Sequence, residues 1–176
     1  LDDDDGPSAL LRLAVDAGVC SGAQLVVLRG GEVVHDAVAG TLAWDDPTPV
    51  TPTTRFDIAS VTKAVVTATL AHAAIDDGLL ALDDLCPASF TPGAPTLRDL
   101  LRHASGLPAH VPVFQAARMA DDPRRFAEEA FAAVAPLPGA GPGYSDVGYV
   151  ALGRWLAHAF GQGLDVVFAA RIAAPL

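Results

Sequence analysis

The chain is expected to fold as an α+β protein whose β-structure is confined to an N-terminal hairpin, the remainder being helical. Three observations predict this. Two short β-rich runs, 24–28 and 32–38, flank Arg29-Gly30-Gly31, and paired glycines supply the backbone freedom a tight hairpin turn needs. From Ser60 onward, apolar residues recur at helical spacing in one segment after another. No terminal strand follows to complete the sheet. A two-stranded ribbon is marginal alone, so the fold reads as incomplete.

Taken in order, residues 1–6 read as an acidic tail, and a partial domain follows over 7–176. Its strand hairpin spans about 22–39, and 60–176 is mainly helical. Residues 7–19 carry Leu10, Leu13 and Ala14 at helical spacing, as an amphipathic first helix would. Residues 44–54, rich in Pro, Thr and Asp, are expected to be a connecting loop. Asp57 and Ser60 are both suited to cap the next helix, which places Ser60 in its first turn; Asp76-Asp77-Gly78 ends it near Ile75. Thr96 and Asp99 have capping-box spacing and open a helix expected to close near Ser105-Gly106. A helix with Pro at its first turn follows over 123–134, then a Pro/Gly loop over 136–143. Two closing helices, 147–160 and 164–172, are separated by Gly161-Gln162-Gly163.

Composition narrows the function. With 51% hydrophobic residues the chain can bury a core and is not disordered. No apolar run reaches the 18 or more residues of a bilayer span, so the chain reads as soluble. Its net charge is −10, and no cluster of arginines offsets it. Such a surface repels phosphate, so neither nucleic acid nor a membrane surface is an expected partner. Cys20 and Cys86 form no CxxC pattern; they could pair only if the fold brings them close, and by default they read as two buried free thiols. The chain starts at Leu1 without a leader pattern, which points to a processed or trimmed N-terminus and leaves the compartment open.

The sequence holds a single lysine, Lys63, three residues after Ser60. Side chains three apart on a helix share a face, which sets an amine beside a hydroxyl that is inert in water. The positive end of the helix, with burial, is expected to push Lys63 toward its neutral, proton-accepting form. The alternative is a serine cap with a lysine reaching out to solvent. A second feature is Gly143-Tyr144-Ser145-Asp146, between the Pro/Gly loop and a helix. A phenol beside an ammonium can act as general base or acid. Otherwise Ser145 or Asp146 is a cap and Tyr144 packs on the helix.

Phe56-Asp57-Ile58-Ala59-Ser60-Val61-Thr62-Lys63, then Leu100-Leu101-Arg102-His103-Ala104-Ser105-Gly106-Leu107-Pro108, then Tyr144-Ser145-Asp146, resembles the serine β-lactamase and D-Ala-D-Ala carboxypeptidase superfamily. The resemblance is strongest to its class C β-lactamase and esterase branch. It implies a β-lactamase/transpeptidase-like fold, present here as its N-terminal portion. It further implies Ser60 as acylated nucleophile, Lys63 as its proton-accepting neighbour, Tyr144 as general base and acid, and Asp146 as a substrate-lining residue. Family members usually have Asn where Asp146 stands, and a carboxylate cannot donate an amide N–H. Ester hydrolysis is therefore favoured over β-lactam hydrolysis. The 103–107 segment reads as a structural turn in which Gly106 ends the helix, and His103 is not expected to be catalytic.

The family's late Lys/His–Ser/Thr–Gly triplet, which lies on a strand carrying one oxyanion donor, has no counterpart here. The implied activity is a serine hydrolase acting through an acyl-enzyme on a small-molecule ester, amide or β-lactam, with no cofactor. Two rivals are a non-catalytic binding or structural remnant, and a cell-wall peptidase needing an exported address. Exposed strand edges favour self-association or a partner chain. The five histidines show no zinc-ligand spacing, so no metal is expected. Gly143 to Val147 lacks the second glycine of a nucleophile elbow, and no phosphate loop or repeat is present.

Overall fold

The computed structural model describes residues 6–175, in two units divided between Asp57 and Ile58. The acidic run Asp2 to Asp5 lies outside the described residues.

The N-terminal unit holds helix α1 (Pro7–Asp16) and an antiparallel sheet of β1 (Gly22–Arg29), β2 (Glu32–Ala43) and β3 (Asp46–Pro49), in the order β1-β2-β3. The hairpin forms where the glycines predict it. Arg29 pairs with Glu32, and Gly30 and Gly31 both take positive φ, as a two-residue turn matched to strand twist requires. The strands run longer than their β-rich cores because Gly22 and Gly40 face each other at the far end. A Cβ on Gly40 would stand 2.1 Å from the Ser21 carbonyl oxygen. Ser8 and His35 tie α1 to β2 through a 3.0 Å hydrogen bond.

The expected loop over 44–54 contains β3, which pairs Thr41 with Pro49 and Ala43 with Asp46. Its prolines hide the strand from composition-based reading, yet proline is tolerated on an edge strand because no ladder donor is needed on the outer side. The Asp46 carboxylate accepts from the Thr48 N–H at 2.9 Å, which fixes the turn; the Thr48 hydroxyl first and this N–H second hold the Asp46 pKa low.

The second unit is helical. A π-helical segment (Lys63–Ala68) continues into α2 (Thr69–Asp76), followed by α3 (Leu97–Leu101), α4 (Val113–Ala117), α5 (Pro123–Ala132), α6 (Asp146–Phe160) and α7 (Leu164–Phe168), the last extended by a π segment (Ala169–Ala173). α6 is the hub. Its Val147, Ala151, Leu152, Trp155 and Leu156 form one buried stripe, against which Leu70, Ala74, Leu97, Leu100 and Val167 close the core. Each large apolar side chain so buried contributes about 1.5–3 kcal/mol of transfer free energy. Ser145 caps α6 by accepting from the Gly148 N–H at 2.9 Å, and Gly161 ends it in the left-handed conformation.

The Thr96–Asp99 capping box opens α3 as predicted, with both reciprocal bonds formed. The helix stops earlier than Ser105-Gly106. His103 takes φ +56°, its N–H bonds the Leu100 carbonyl and the next N–H reaches Asp99. That Schellman pattern has a histidine where glycine is usual. The short α4 was not anticipated. Cys86 is buried in the core and Cys20 half-buried, both free thiols. Burial pushes the Cys86 thiol up to about 11.

Candidate active site

Ser60 stands just ahead of the helical residues, not inside the first α-turn. Val61, Thr62 and Lys63 each bond the carbonyl three residues back, at 3.0, 3.1 and 3.0 Å. Such a turn has about three residues per revolution, so side chains at i and i+3 eclipse more closely than on an α-helix. Lys63 Nζ donates to Ser60 Oγ at 3.0 Å. Ala59, immediately before the serine, has φ +43°, a region costly for a residue with a Cβ. The π segment begins at Lys63 itself.

The 143–146 segment is held by the segment after α3. Gly143 N–H bonds the His103 carbonyl at 2.8 Å, and Ser145 N–H bonds His103 Nδ1 at 3.0 Å. Ser145 Oγ donates to the Pro108 carbonyl at 2.7 Å, and Asp146 N–H bonds the Ala109 carbonyl at 2.8 Å. The 103–109 segment is therefore structural, as its sequence implies, but through a different residue. His103 ends the helix, accepts from Ser145 with Nδ1 unprotonated, and stacks on the Tyr144 ring at 4.7 Å between centroids. Sequence reasoning set His103 aside; its only signal was a histidine at a helix end with no glycine beside it.

These supports carry Tyr144 OH to 2.7 Å from Ser60 Oγ. One hydroxyl oxygen thus meets both an ammonium and a phenol. Lys63 Nζ also lies 5.1 Å from the Tyr144 ring centroid and 5.9 Å from that of Tyr149, whose OH bonds the Leu101 carbonyl at 3.1 Å. Burial raises the Tyr149 phenol pKa. Ser60 and Tyr144 are exposed, while the Lys63 side chain is 19% accessible.

Asp146 joins the other three predicted residues, with Oδ1 2.6 Å from Lys63 Nζ. No donor meets Oδ1 in hydrogen-bonding geometry, so charge carries the contact. This reverses the expected protonation of Lys63. Burial does lower the lysine pKa, but the contacts with Asp146 and Tyr144 outweigh it and raise the value above the usual 10.5. Asp146 is in turn held below 3.8, chiefly by Lys63 against the opposing effect of burial. Lys63 is therefore an ammonium here. Its charge can stabilise an oxygen anion forming on either neighbour, and as an ammonium it offers no lone pair to a proton. His110, also unanticipated, places Nδ1 3.7 Å from Asp146 Oδ2.

A cavity of about 280 Å³ opens beside Lys63 and Asp146, walled by Thr62, Thr67, Tyr149 and Val150 among others. Among the described residues, no group of His, Cys, Asp or Glu side chains is placed to hold a metal ion, and no helix is long and apolar enough to cross a membrane.

An incomplete α+β fold with a serine, lysine and tyrosine converging in this order defines a class, and the family described as Beta-lactamase matches residues 8–176. The chain belongs to that family. Among solved structures it is similar to the D-amino acid amidase from Ochrobactrum anthropi SV3, at 30% identity and a TM-score of 0.76, covering 96% of this chain and 48% of the amidase. It is also similar to a penicillin-binding protein homolog from Caulobacter crescentus, at 26% identity and a TM-score of 0.72, covering 96% of this chain and 47% of the homolog. EstCE1, a hydrolase with promiscuous acyltransferase activity, shares the fold at 24% identity and a TM-score of 0.77, covering 95% of this chain and 49% of EstCE1. The chain thus spans about half the length of these structures. No curated protein matches it.

Proposed function

We propose that this chain carries the acyl-transfer half-site of a serine hydrolase acting on small-molecule esters or amides. The observation that carries the reading is the double engagement of Ser60 Oγ, by Tyr144 OH at 2.7 Å and by Lys63 Nζ at 3.0 Å. Ser60 attacks the carbonyl carbon, and its proton passes to the Tyr144 oxygen, deprotonated in the reacting state beside the Lys63 ammonium. Tyr144 then returns the proton to the leaving alcohol or amine as the carbonyl re-forms. Water enters by the same path and releases the acyl group. His103 and Ser145 are positioning residues for Tyr144. The 30% identical D-amino acid amidase supports an amide as substrate. Asp146 disfavours β-lactams, since a carboxylate offers no N–H to their side-chain carbonyl.

The rival reading is a non-catalytic binding or structural fragment of this fold, in which Ser60 is contacted by Lys63 and Tyr144 without being activated. Intact mass after incubation with a fluorophosphonate separates the two. A single adduct that disappears in Ser60→Ala is expected. No adduct on a chain shown to be folded would leave the remnant reading.

A further inference from the structure

His103 holds Tyr144 in three ways. Its carbonyl accepts from the Gly143 N–H at 2.8 Å, its Nδ1 accepts from the Ser145 N–H at 3.0 Å, and its ring stacks on the Tyr144 ring at 4.7 Å between centroids. One residue thus fixes the peptide on both sides of the phenol that reaches Ser60 Oγ. Tyr149 packs on the same imidazole at 4.7 Å and is itself tied by its OH to the Leu101 carbonyl at 3.1 Å. The imidazole is therefore held with Nδ1 toward Ser145.

Of these contacts, the Nδ1 bond alone requires a neutral ring. Nδ1 accepts only while it carries no proton, and in the imidazolium both nitrogens are donors. A proton added there would meet the Ser145 N–H donor against donor at 3.0 Å, and the bond would be lost. The charges around the ring set where this happens, not whether it does. The Tyr144 and Tyr149 ring faces attract a cation, while the Lys63 ammonium over both rings, itself paired with Asp146, opposes one, as does the neighbouring Arg102. The bonds of Ser145 Oγ to the Pro108 carbonyl and of the Asp146 N–H to the Ala109 carbonyl do not involve His103. Protonation therefore loosens the chain at Tyr144 without undoing the start of α6.

We propose that the neutral imidazole of His103 keeps Tyr144 on Ser60, and that its protonation withdraws Tyr144 and lowers the reactivity of Ser60. This rests on the reading of Tyr144 as the group that takes the Ser60 proton. The backbone allows a clean test, since His103 has φ +56°, which asparagine and glycine both accept. Asparagine Oδ1 stands as many bonds from the backbone as imidazole Nδ1 and stays an acceptor at low pH, whereas glycine offers no acceptor. The rate of fluorophosphonate labelling is followed from about pH 8 to about pH 5.5, a range in which histidines change charge, in the full chain, His103→Asn, His103→Gly and His110→Gln. Over that range the wild-type rate is expected to fall at least about tenfold more than the His103→Asn rate, as loss of one hydrogen bond to a buried donor implies. At about pH 8, His103→Gly should label at least about tenfold more slowly than His103→Asn. His110→Gln removes the imidazole beside Asp146 and should keep the wild-type acid limb. Histidine-selective nitrogen NMR reads the same event without activity. His103 Nδ1 should be unprotonated at about pH 8, and the Ser145 amide signal should move with the His103 ring on acidification. An acid limb unchanged in His103→Asn, one that vanishes in His110→Gln, or a Ser145 amide that ignores the His103 titration overturns the proposal. The coupled NMR titration without a Ser60 adduct removes the hydrolase reading and leaves the hold of His103 on Tyr144, and an adduct whose acid limb ignores His103 does the reverse.

Discussion

The two units of this chain bury their side chains very differently. In the helical unit twelve residues close into one core around α6. In the sheet unit Val50 is the one apolar residue fully buried among the described residues, and Val26, Leu28, Val33 and Val34 on β1 and β2 stay exposed. Ser60, Lys63, Tyr144 and Asp146 all belong to the helical unit. A reacting constellation must be held within about half an ångström, which demands supporting side chains locked by packing. Only one of the units provides that here. The site is local to it.

The hardest test of this contrast removes core volume. Leu156 is wholly buried on α6. Leu156→Ala is expected to cost about 2–5 kcal/mol, through lost transfer energy and the cavity left behind. Against a total stability of about 5–15 kcal/mol, that is a large fraction. Urea denaturation followed by tryptophan fluorescence reads it, Trp155 lying in the same core. A cost below about 1 kcal/mol would mean the core is loosely packed and the contrast overstated.

A smaller effect tests the charge pair inside the site. The Asp146 pKa is lowered on folding, so its stabilisation is full above about pH 4 and lost as pH falls through the folded value. The Lys63 pKa is raised, so its share is full below about pH 10.5 and lost as pH rises through the folded value. Because Asp146 is well exposed to solvent, the pair is worth less than about 1 kcal/mol. In Asp146→Asn the thermal midpoint should fall less between pH 5 and 2 than in the wild type. Some acid sensitivity remains, since Asp46, Asp77 and Asp99 also have lowered values. Identical acid limbs would mean that Lys63 and Asp146 are not paired in solution.

Which parts were readable in advance follows the same division between local and distant causes. The Gly30-Gly31 turn, the Thr96–Asp99 box and the Ser60/Lys63 offset are settled within a few residues, and their chemistry shows in the sequence. Tyr144 was readable from its motif. The ammonium state of Lys63 was not, because it is set by a carboxylate 83 positions away that only folding brings to 2.6 Å. Burial and the helix terminus, the two effects visible from sequence, act in the opposite direction. The π segment was hidden because apolar spacing over six residues does not separate one helical pitch from another. β3 was hidden by prolines that an edge strand tolerates. The positioning contacts of His103 were not readable because they lie in the partners it meets, Tyr144 and Ser145, both about forty residues on.

The smallest predicted effect is the most informative about the sheet. Val33 pairs with Leu28 across the hairpin and is 59% accessible. Threonine keeps the β-branched shape and strand preference of valine, so Val33→Thr should change stability by no more than about 0.5 kcal/mol. The two residues differ mainly in a hydroxyl, which costs little in water and a great deal in an apolar contact without a partner. The substitution therefore reports whether water covers this face in solution. A loss above about 1.5 kcal/mol, with a sedimentation coefficient that rises with concentration in the wild type and stays constant in the mutant, would mean that a second molecule buries the strands. The sheet would then have a core after all, made between chains, and the asymmetry between the units would belong to the isolated chain alone.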